Sequence, residues 1–149
     1  MKKLSIIIPV FNEEDNILPV YEAVQEVLSP LSAQYEYEFV FTDNHSTDQS
    51  FSILKELAHR DSRVKVARLS RNFAYQKSIF TGYSLATGDA VVQLDCDLQD
   101  PPAMILEFLK QWEGGYAVVY GIRTERKESW LLKWVRKVFY RLIDFLSED

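Results

Sequence analysis

Short apolar runs alternate along this chain with stretches of helical period. Residues 4–10, 37–42, 64–69, 90–95 and 117–120 are mostly apolar runs bounded by polar residues, the form expected of buried strands. Between the first two, Ile17, Val20, Tyr21, Val24, Val27 and Leu28 fall at i, i+3, i+4, i+7, i+10 and i+11, one stripe of a helix packed on a sheet. A second helix is predicted over about 47–58, opened by the capping-box spacing Ser46-x-x-Gln49. A third is predicted over 75–86, ending at Gly88, and a fourth runs from Pro101-Pro102 to Glu113, where Gly114-Gly115 stops it. Strand, loop and helix in repetition predict an α/β domain with a mostly parallel central sheet flanked by helices. In open sheets of that kind, ligands bind at the carboxyl ends of the strands.

A chain of 149 residues with 47% hydrophobic and 26% charged positions can bury one core and has the composition of a globular domain, without low-complexity stretch, internal repeat or Gly/Ser linker. Met1-Lys2-Lys3 leads directly into an apolar run that stops at Pro9, which is not the form of a signal peptide, and no run approaches the roughly 20 apolar residues of a membrane span. Cys96, alone of its kind, excludes an internal disulfide and fits a reducing, cytoplasmic compartment. The net charge of −5 argues against general nucleic-acid binding, but it is unevenly placed. Residues 123–141 carry seven basic side chains against two acidic ones, so that stretch is +5 and the remainder −10.

The five expected strand ends share one character. They open into Pro9-Val10-Phe11-Asn12-Glu13-Glu14, Asp43-Asn44-His45-Ser46-Thr47-Asp48, Ser70-Arg71-Asn72, the run from Asp95 to Asp100, and Gly121-Ile122-Arg123, all rich in acids, amides or arginine. The opposite loops, 29–34 and 60–62, read as ordinary solvated turns. Helix capping explains an Asp or Asn in any one loop, but not all five together. Asp95 and Asp97 follow a buried run at i, i+2, so on an extended segment they share a face and Cys96 points the other way. Two hard oxygen ligands with open positions suit Mg²⁺ or Mn²⁺ bridging a diphosphate.

These motifs, with Arg71-Asn72-Phe73, Gly88-Asp89, Asp95-x-Asp97-Leu98-Gln99-Asp100-Pro101-Pro102 and Gly121-x-Arg123 in this order, resemble the family 2 inverting glycosyltransferases with the Rossmann-like GT-A fold. Within that family, the run 97–102 and Phe139-Tyr140-Arg141 are most similar to the polyprenyl-phosphate glycosyltransferases, of the dolichol-phosphate mannose synthase and bactoprenol glucosyltransferase kind.

The resemblance implies a nucleotide-sugar donor contacted by Pro9, Phe11 and Glu13, with Asp43 accepting hydrogen bonds from the base. The family usually has a second Asp where this chain has Asn44, and often Gly where it has His45. An amide can still pair with a base edge, and Asp43 beside Asn44 favours a UDP-sugar over a GDP-sugar. Arg71 is a candidate partner of the diphosphate through its planar guanidinium. Metal and diphosphate are expected at Asp95, Asp97 and Gln99, with Asp97 the direct ligand and Asp95 either a ligand or a ribose acceptor. A lipid-phosphate acceptor is already ionised, so no catalytic base is assigned.

The tail adds an acceptor side. From Trp130 the period is helical, with Leu131, Trp134, Val135, Val138, Phe139, Leu142, Phe145 and Leu146 on one broad face and Lys133, Arg136, Lys137 and Arg141 largely elsewhere. Such a helix lies at a membrane surface, or buries its stripe against the domain or against a second copy in a homo-oligomer. Residues 1–122 are therefore expected to form a nucleotide-sugar-binding core, and 123–149 a basic amphipathic segment. Arg123, Arg126 and Arg141 are expected to meet a polyprenyl phosphate or glycan acceptor at the inner face of the membrane. The family continues beyond this point with acceptor-side and transmembrane segments, so the chain is expected to be a truncated donor-binding half, active or not. Two other readings remain open: a hydroxyl-acceptor glycosyltransferase of polysaccharide or cell-wall synthesis, and a non-catalytic nucleotide-sugar-binding fragment. A sugar-phosphate nucleotidyltransferase would want a Gly-rich loop after the first strand, and a dinucleotide enzyme a G-x-G-x-x-G; neither is present.

Overall fold

The computed structural model describes residues 1–122 together with 134, 137 and 139–141. Four strands, β1 (Lys2–Val10), β2 (Tyr35–Asp43), β3 (Val64–Arg68) and β4 (Ala90–Gln93), form one sheet in the order β3-β2-β1-β4. Every pairing is parallel, with β1 running beside β2 from Lys2↔Tyr35 to Val10↔Asp43 and beside β4 from Leu4↔Ala90 to Ile7↔Gln93. The crossovers are α1 (Ile17–Leu28), α2 (Ser50–Arg60) and α3 (Tyr75–Leu85), and α4 (Met104–Glu113) follows β4.

Alternation along β1 and β2 divides the sheet into two unlike faces. Leu4, Ile6, Ile8 and Val10 join Tyr35, Tyr37, Phe39 and Phe41 in the main core, closed by Ile17, Val20, Val24 and Leu28 of α1, Leu54 and Leu57 of α2, and Ile105 and Leu109 of α4. The other face carries Ser5, Ile7, Glu38 and Thr42 and meets α3 at very short range. A Cβ on Gly82 would lie 3.1 Å from Ile7 Cβ, and Ser78 exchanges a 2.9 Å hydroxyl bond with Thr42. Small residues on α3 thus let its backbone approach the sheet, while its outer side leaves Phe80 and Tyr83 exposed.

Glu38 anchors this second face. It is 3% exposed and accepts bonds from Ser5 Oγ (2.8 Å), Thr87 N (2.9 Å) and Thr87 Oγ1 (3.0 Å), with Lys3 and Lys65 ammoniums at 2.5 and 2.9 Å. Burial alone would raise its carboxyl, but the bonds from Lys3, Lys65, Ser5 and Thr87 outweigh it and hold the group below the usual glutamate range. The cluster ties the end of α3 and the start of β4 to β1 and β2, fixing where β4 delivers its carboxyl end.

Three sequence expectations are corrected. The α2 helix begins at Ser50, not near Thr47, because Ser46 spends its hydroxyl on Asn12 N (3.0 Å) and does not cap the helix; Asp48 Oδ1 takes Ser50 N (3.0 Å) instead. The β4 strand ends at Gln93, two residues early, although Leu94 N still reaches Ile7 O at 3.1 Å. Residues 117–120 form no strand: they find no ladder partner among the described residues, and Val118 and Tyr120 are exposed. An apolar run becomes a strand only where an edge accepts its N–H and C=O groups.

The chain divides into two compact units, Met1–Ala117 and Val118–Asp149. In the second, Trp134, Lys137, Phe139, Tyr140 and Arg141 are helical and exposed, with the Phe139 and Tyr140 rings edge to face at 5.8 Å. Arg123, Arg126 and the remaining tail positions lie outside the described residues.

A carboxyl held below its ordinary value contributes stability that is present above its unfolded-state pKa, about 4.3, and is lost as pH falls below it toward the folded value. Glu38→Gln is expected to cost about 2 kcal/mol at neutral pH and to flatten the loss of stability on acidification. Urea unfolding of both proteins from pH 7 to pH 3 measures it; parallel pH curves would contradict the role given to Glu38.

Candidate functional site

Because all four strands are parallel, their carboxyl ends open on one edge of the sheet, and hydrogen bonds tie the loops there to one another. After β1, Asn12 Oδ1 accepts Thr47 N (2.8 Å), Glu13 N donates to Ser50 Oγ (2.8 Å), Glu14 N to Asp48 Oδ2 (3.2 Å), and Glu14 Oε2 accepts Gln49 N (2.7 Å). Burial opposes ionisation of Asp48, but the bonds from Ser50 and Glu14 outweigh it and lower the carboxyl. After β2, Asp43 is fully buried: Oδ1 accepts Ser46 N (3.0 Å), and Oδ2 lies 3.1 Å from Arg68 Nε as an ion pair without a hydrogen bond. Asn44, 4% exposed, donates Nδ2 to Asn72 Oδ1 (2.9 Å) and accepts Phe73 N on its own Oδ1 (2.9 Å), which fastens the loop after β3 to the loop after β2.

Backbone strain is concentrated at the same edge. The non-glycine residues with positive φ among the described residues are Asn12 (56°), His45 (66°), Ala74 (68°) and Leu98 (56°), one in each of the four loops. Asn tolerates the left-handed region. Ala74, with ψ 168°, occupies a region that is essentially reserved for glycine and lies at the start of α3.

A cleft of about 440 Å³ opens among these loops, lined by Pro9, Val10, Phe11, Glu13, Asn44, Asn72, Ala74, Tyr75, Ser78, Asp95, Cys96 and Asp97. Phe11, 44% exposed, offers an apolar face to it. Asp95 and Asp97 both reach it, but not by alternation: residues 96 and 97 turn, so Cys96, expected to face away, is buried at the cleft wall between them. Burial pushes the Cys96 thiol up to about 12, with Glu13, Asp97 and Asp95 adding to the rise. Those three carboxylates therefore converge on one region, and no Lys or Arg is among the lining residues. Asp95 Oδ1 accepts Tyr75 Oη and Gln93 Nε2, the latter at 3.0 Å. Burial and that bond to Asp95 push the Tyr75 hydroxyl up to about 12. Asp97 Oδ1 accepts Gln99 N (3.0 Å).

The donor set can be tested against a divalent cation. No group of three or more His, Cys, Asp or Glu side chains among the described residues could enclose an ion. Asp95 Oδ2 and Asp97 Oδ2 have no hydrogen bond among the described residues. Two carboxylates without a cage suit Mg²⁺ or Mn²⁺, which keep waters and share their coordination with substrate phosphates, and do not suit a closed structural site.

Of the residues singled out from sequence, Pro9, Phe11, Glu13, Asn44, Asp95 and Asp97 line the cleft, whereas Asp43, Arg71 and Gln99 do not. Arg71 lies over the Phe73 ring at 4.1 Å. Sequence reasoning missed Asn72, Ala74, Tyr75, Ser78 and Gln93. Asn72 stood within a motif that it named; the others carry no local signal, because their partners are distant in the chain.

This is an α/β domain with a carboxylate-lined cleft at the carboxyl edge of a parallel sheet. The family model of Glycosyl transferase family 2 matches residues 5–148, and the chain belongs to that family. It is 42% identical over 97% of its length to the uncharacterized glycosyltransferase YkcC of Bacillus subtilis and 38% identical over 97% to the prophage bactoprenol glucosyl transferase homolog of Escherichia coli. It spans less than half of these relatives, 44% and 47% of their lengths. Among solved structures, the mannosyltransferase PcManGT of Pyrobaculum calidifontis, determined with GDP-Man and Mn²⁺, superposes with TM-score 0.64 over 78% of this chain and 34% of its own, at 23% identity. The fold is thus the expected GT-A fold.

Ala74→Gly is expected to stabilise the protein by about 1 kcal/mol, the relief of strain exceeding the added unfolded-state entropy. The urea midpoint measures it, and a lower midpoint for Ala74→Gly would contradict the strain assigned to this loop.

Proposed function

We propose that this chain is the donor-binding portion of a glycosyltransferase that moves a sugar from a UDP-sugar to a polyprenyl phosphate with inversion. The observation that carries this reading is the convergence of Glu13, Asp95 and Asp97 on a cleft that also exposes Phe11. A cleft so rich in carboxylates repels a diphosphate unless a cation enters with it. A bound divalent ion supplies charge neutralisation of the leaving diphosphate as the glycosidic bond breaks. Asp97 and Asp95 hold that ion through their unbonded oxygens, and Phe11 and Pro9 supply apolar area to the nucleoside. The uracil preference rests on the resemblance at Asp43-Asn44: Asn44 lines the cleft, and Asp43, buried and ion-paired with Arg68, holds the loop through Ser46 N.

The acceptor assignment is supported by the name of the Escherichia coli relative, a bactoprenol glucosyl transferase homolog. An ionised lipid phosphate attacks in line without a protein base. Exposed Trp134, Phe139 and Tyr140, with Lys137 and Arg141 among them, fit an anionic membrane surface. Among the described residues, no helix is long and apolar enough to cross a membrane.

UDP affinity is expected to be higher in Mn²⁺ than in EDTA and to exceed GDP affinity. Asp97→Ala should remove the metal-dependent part, while Asp61→Ala, at the opposite edge, should not. Equal affinity in Mn²⁺ and EDTA sinks the donor reading, and tighter GDP binding overturns the base. Co-sedimentation with vesicles should need anionic lipid; equal recovery on neutral vesicles removes the membrane contact.

A further inference from the structure

Tyr75, the first residue of α3, reaches across the cleft to the end of β4, where three polar groups close a ring. Tyr75 Oη donates to Asp95 Oδ1. Gln93 Nε2 carries two hydrogens and donates one to Tyr75 Oη and one to Asp95 Oδ1, both at 3.0 Å. The accounting leaves nothing over: the tyrosine hydroxyl gives one bond and takes one, the amide nitrogen gives two, and Oδ1 takes two on its two lone pairs. Asp95 Oδ2 remains as the only oxygen that this carboxylate can offer a ligand. A carboxylate without such partners could turn about its side-chain torsions and offer either oxygen, or both.

We propose that Tyr75, with Gln93, is a positioning residue that fixes Asp95 as a one-oxygen ligand for the cation of a metal–nucleotide diphosphate. The inference rests on the donor-site reading above and extends it to a residue outside the carboxylate pair. Hydrogen bonds to a ligating carboxylate hold its direction before the metal arrives, and their loss typically lowers metal affinity by 10–100-fold. Tyr75 itself is 49% exposed, so its hydroxyl is not needed to close the core. Its ring also borders the cleft, so direct contact with the nucleotide is the competing role, and the two separate by their dependence on metal.

Calorimetric titration of UDP into the full chain, in Mn²⁺ and in EDTA, compares the wild type with Tyr75→Phe, Gln93→Leu and the double variant. Tyr75→Phe is expected to lose about tenfold in affinity with Mn²⁺ and nothing in EDTA, at an unchanged thermal midpoint without ligand. Gln93→Leu should act in the same direction, and the double variant should lose less than the product of the two, since both act through Asp95. Mn²⁺ alone, followed by its electron paramagnetic resonance signal, should bind Tyr75→Phe more weakly by a similar factor. An equal loss in Mn²⁺ and EDTA would make Tyr75 a wall of the nucleotide pocket and overturn the inference, as would unchanged affinity in Mn²⁺. Failure of the wild type to bind Mn²⁺ or UDP would overturn the donor-site reading and the inference with it, whereas wild-type binding that Tyr75→Phe leaves intact would overturn the inference alone.

Discussion

Parallel pairing of β1 on both sides is the constraint from which the rest of this structure follows. A parallel ladder admits no hairpin, so each strand must return through a helix, and every strand end emerges at the same edge. With β2 and β4 both in register beside β1, the loops after Val10, Asp43 and Gln93 emerge together, and the loop after Arg68 joins them through Asn44 and Asn72. Polar residues scattered over more than eighty positions of sequence thereby become neighbours. The close fit of Gly82 and Ser78 on Ile7 and Thr42 keeps α3 near enough to the sheet for Tyr75 to reach Asp95.

Two costs are concentrated at that edge. One is conformational, in four non-glycine residues with positive φ, of which Ala74 is the least tolerable. The other is electrostatic, in three carboxylates around a buried thiol with no cationic side chain lining the cleft. Glu38 shows the contrast: a buried carboxylate with no ligand to wait for is satisfied by two lysines, Ser5 and Thr87. The cleft carboxylates are left short of positive charge, which is the condition for taking up a cation together with an anionic substrate.

The sequence made legible whatever depends on local period. The α1 stripe from Ile17 to Leu28, the apolar runs of β1 and β2, and the glycines after α4 read correctly because each reflects one element and one buried face. What depends on a distant partner did not read. Ser46 has the spacing of a helix cap, yet Asn12, 34 positions away, takes its hydroxyl. Residues 117–120 have a strand's composition but no edge among the described residues to pair with. Asp95 and Asp97 were placed at the site, while the alternation that turned Cys96 outward failed because β4 ends at Gln93 and the chain turns. Tyr75 carried no signal, since its partner Asp95 is 20 positions on. The roles proposed for Asp95 and Asp97 come from the family resemblance; the geometry adds that the Oδ1 of each already accepts a hydrogen bond.

The central claim is that the four loops form one preorganised cradle for a metal–nucleotide diphosphate. Backbone hydrogen exchange, with and without UDP and Mn²⁺, reads that claim loop by loop. The account predicts slowed exchange together in residues 11–14, 44–49, 72–76 and 95–99, with 29–34 and 60–63 at the opposite edge unchanged. Protection confined to a single loop, or appearing at the opposite edge, would contradict it.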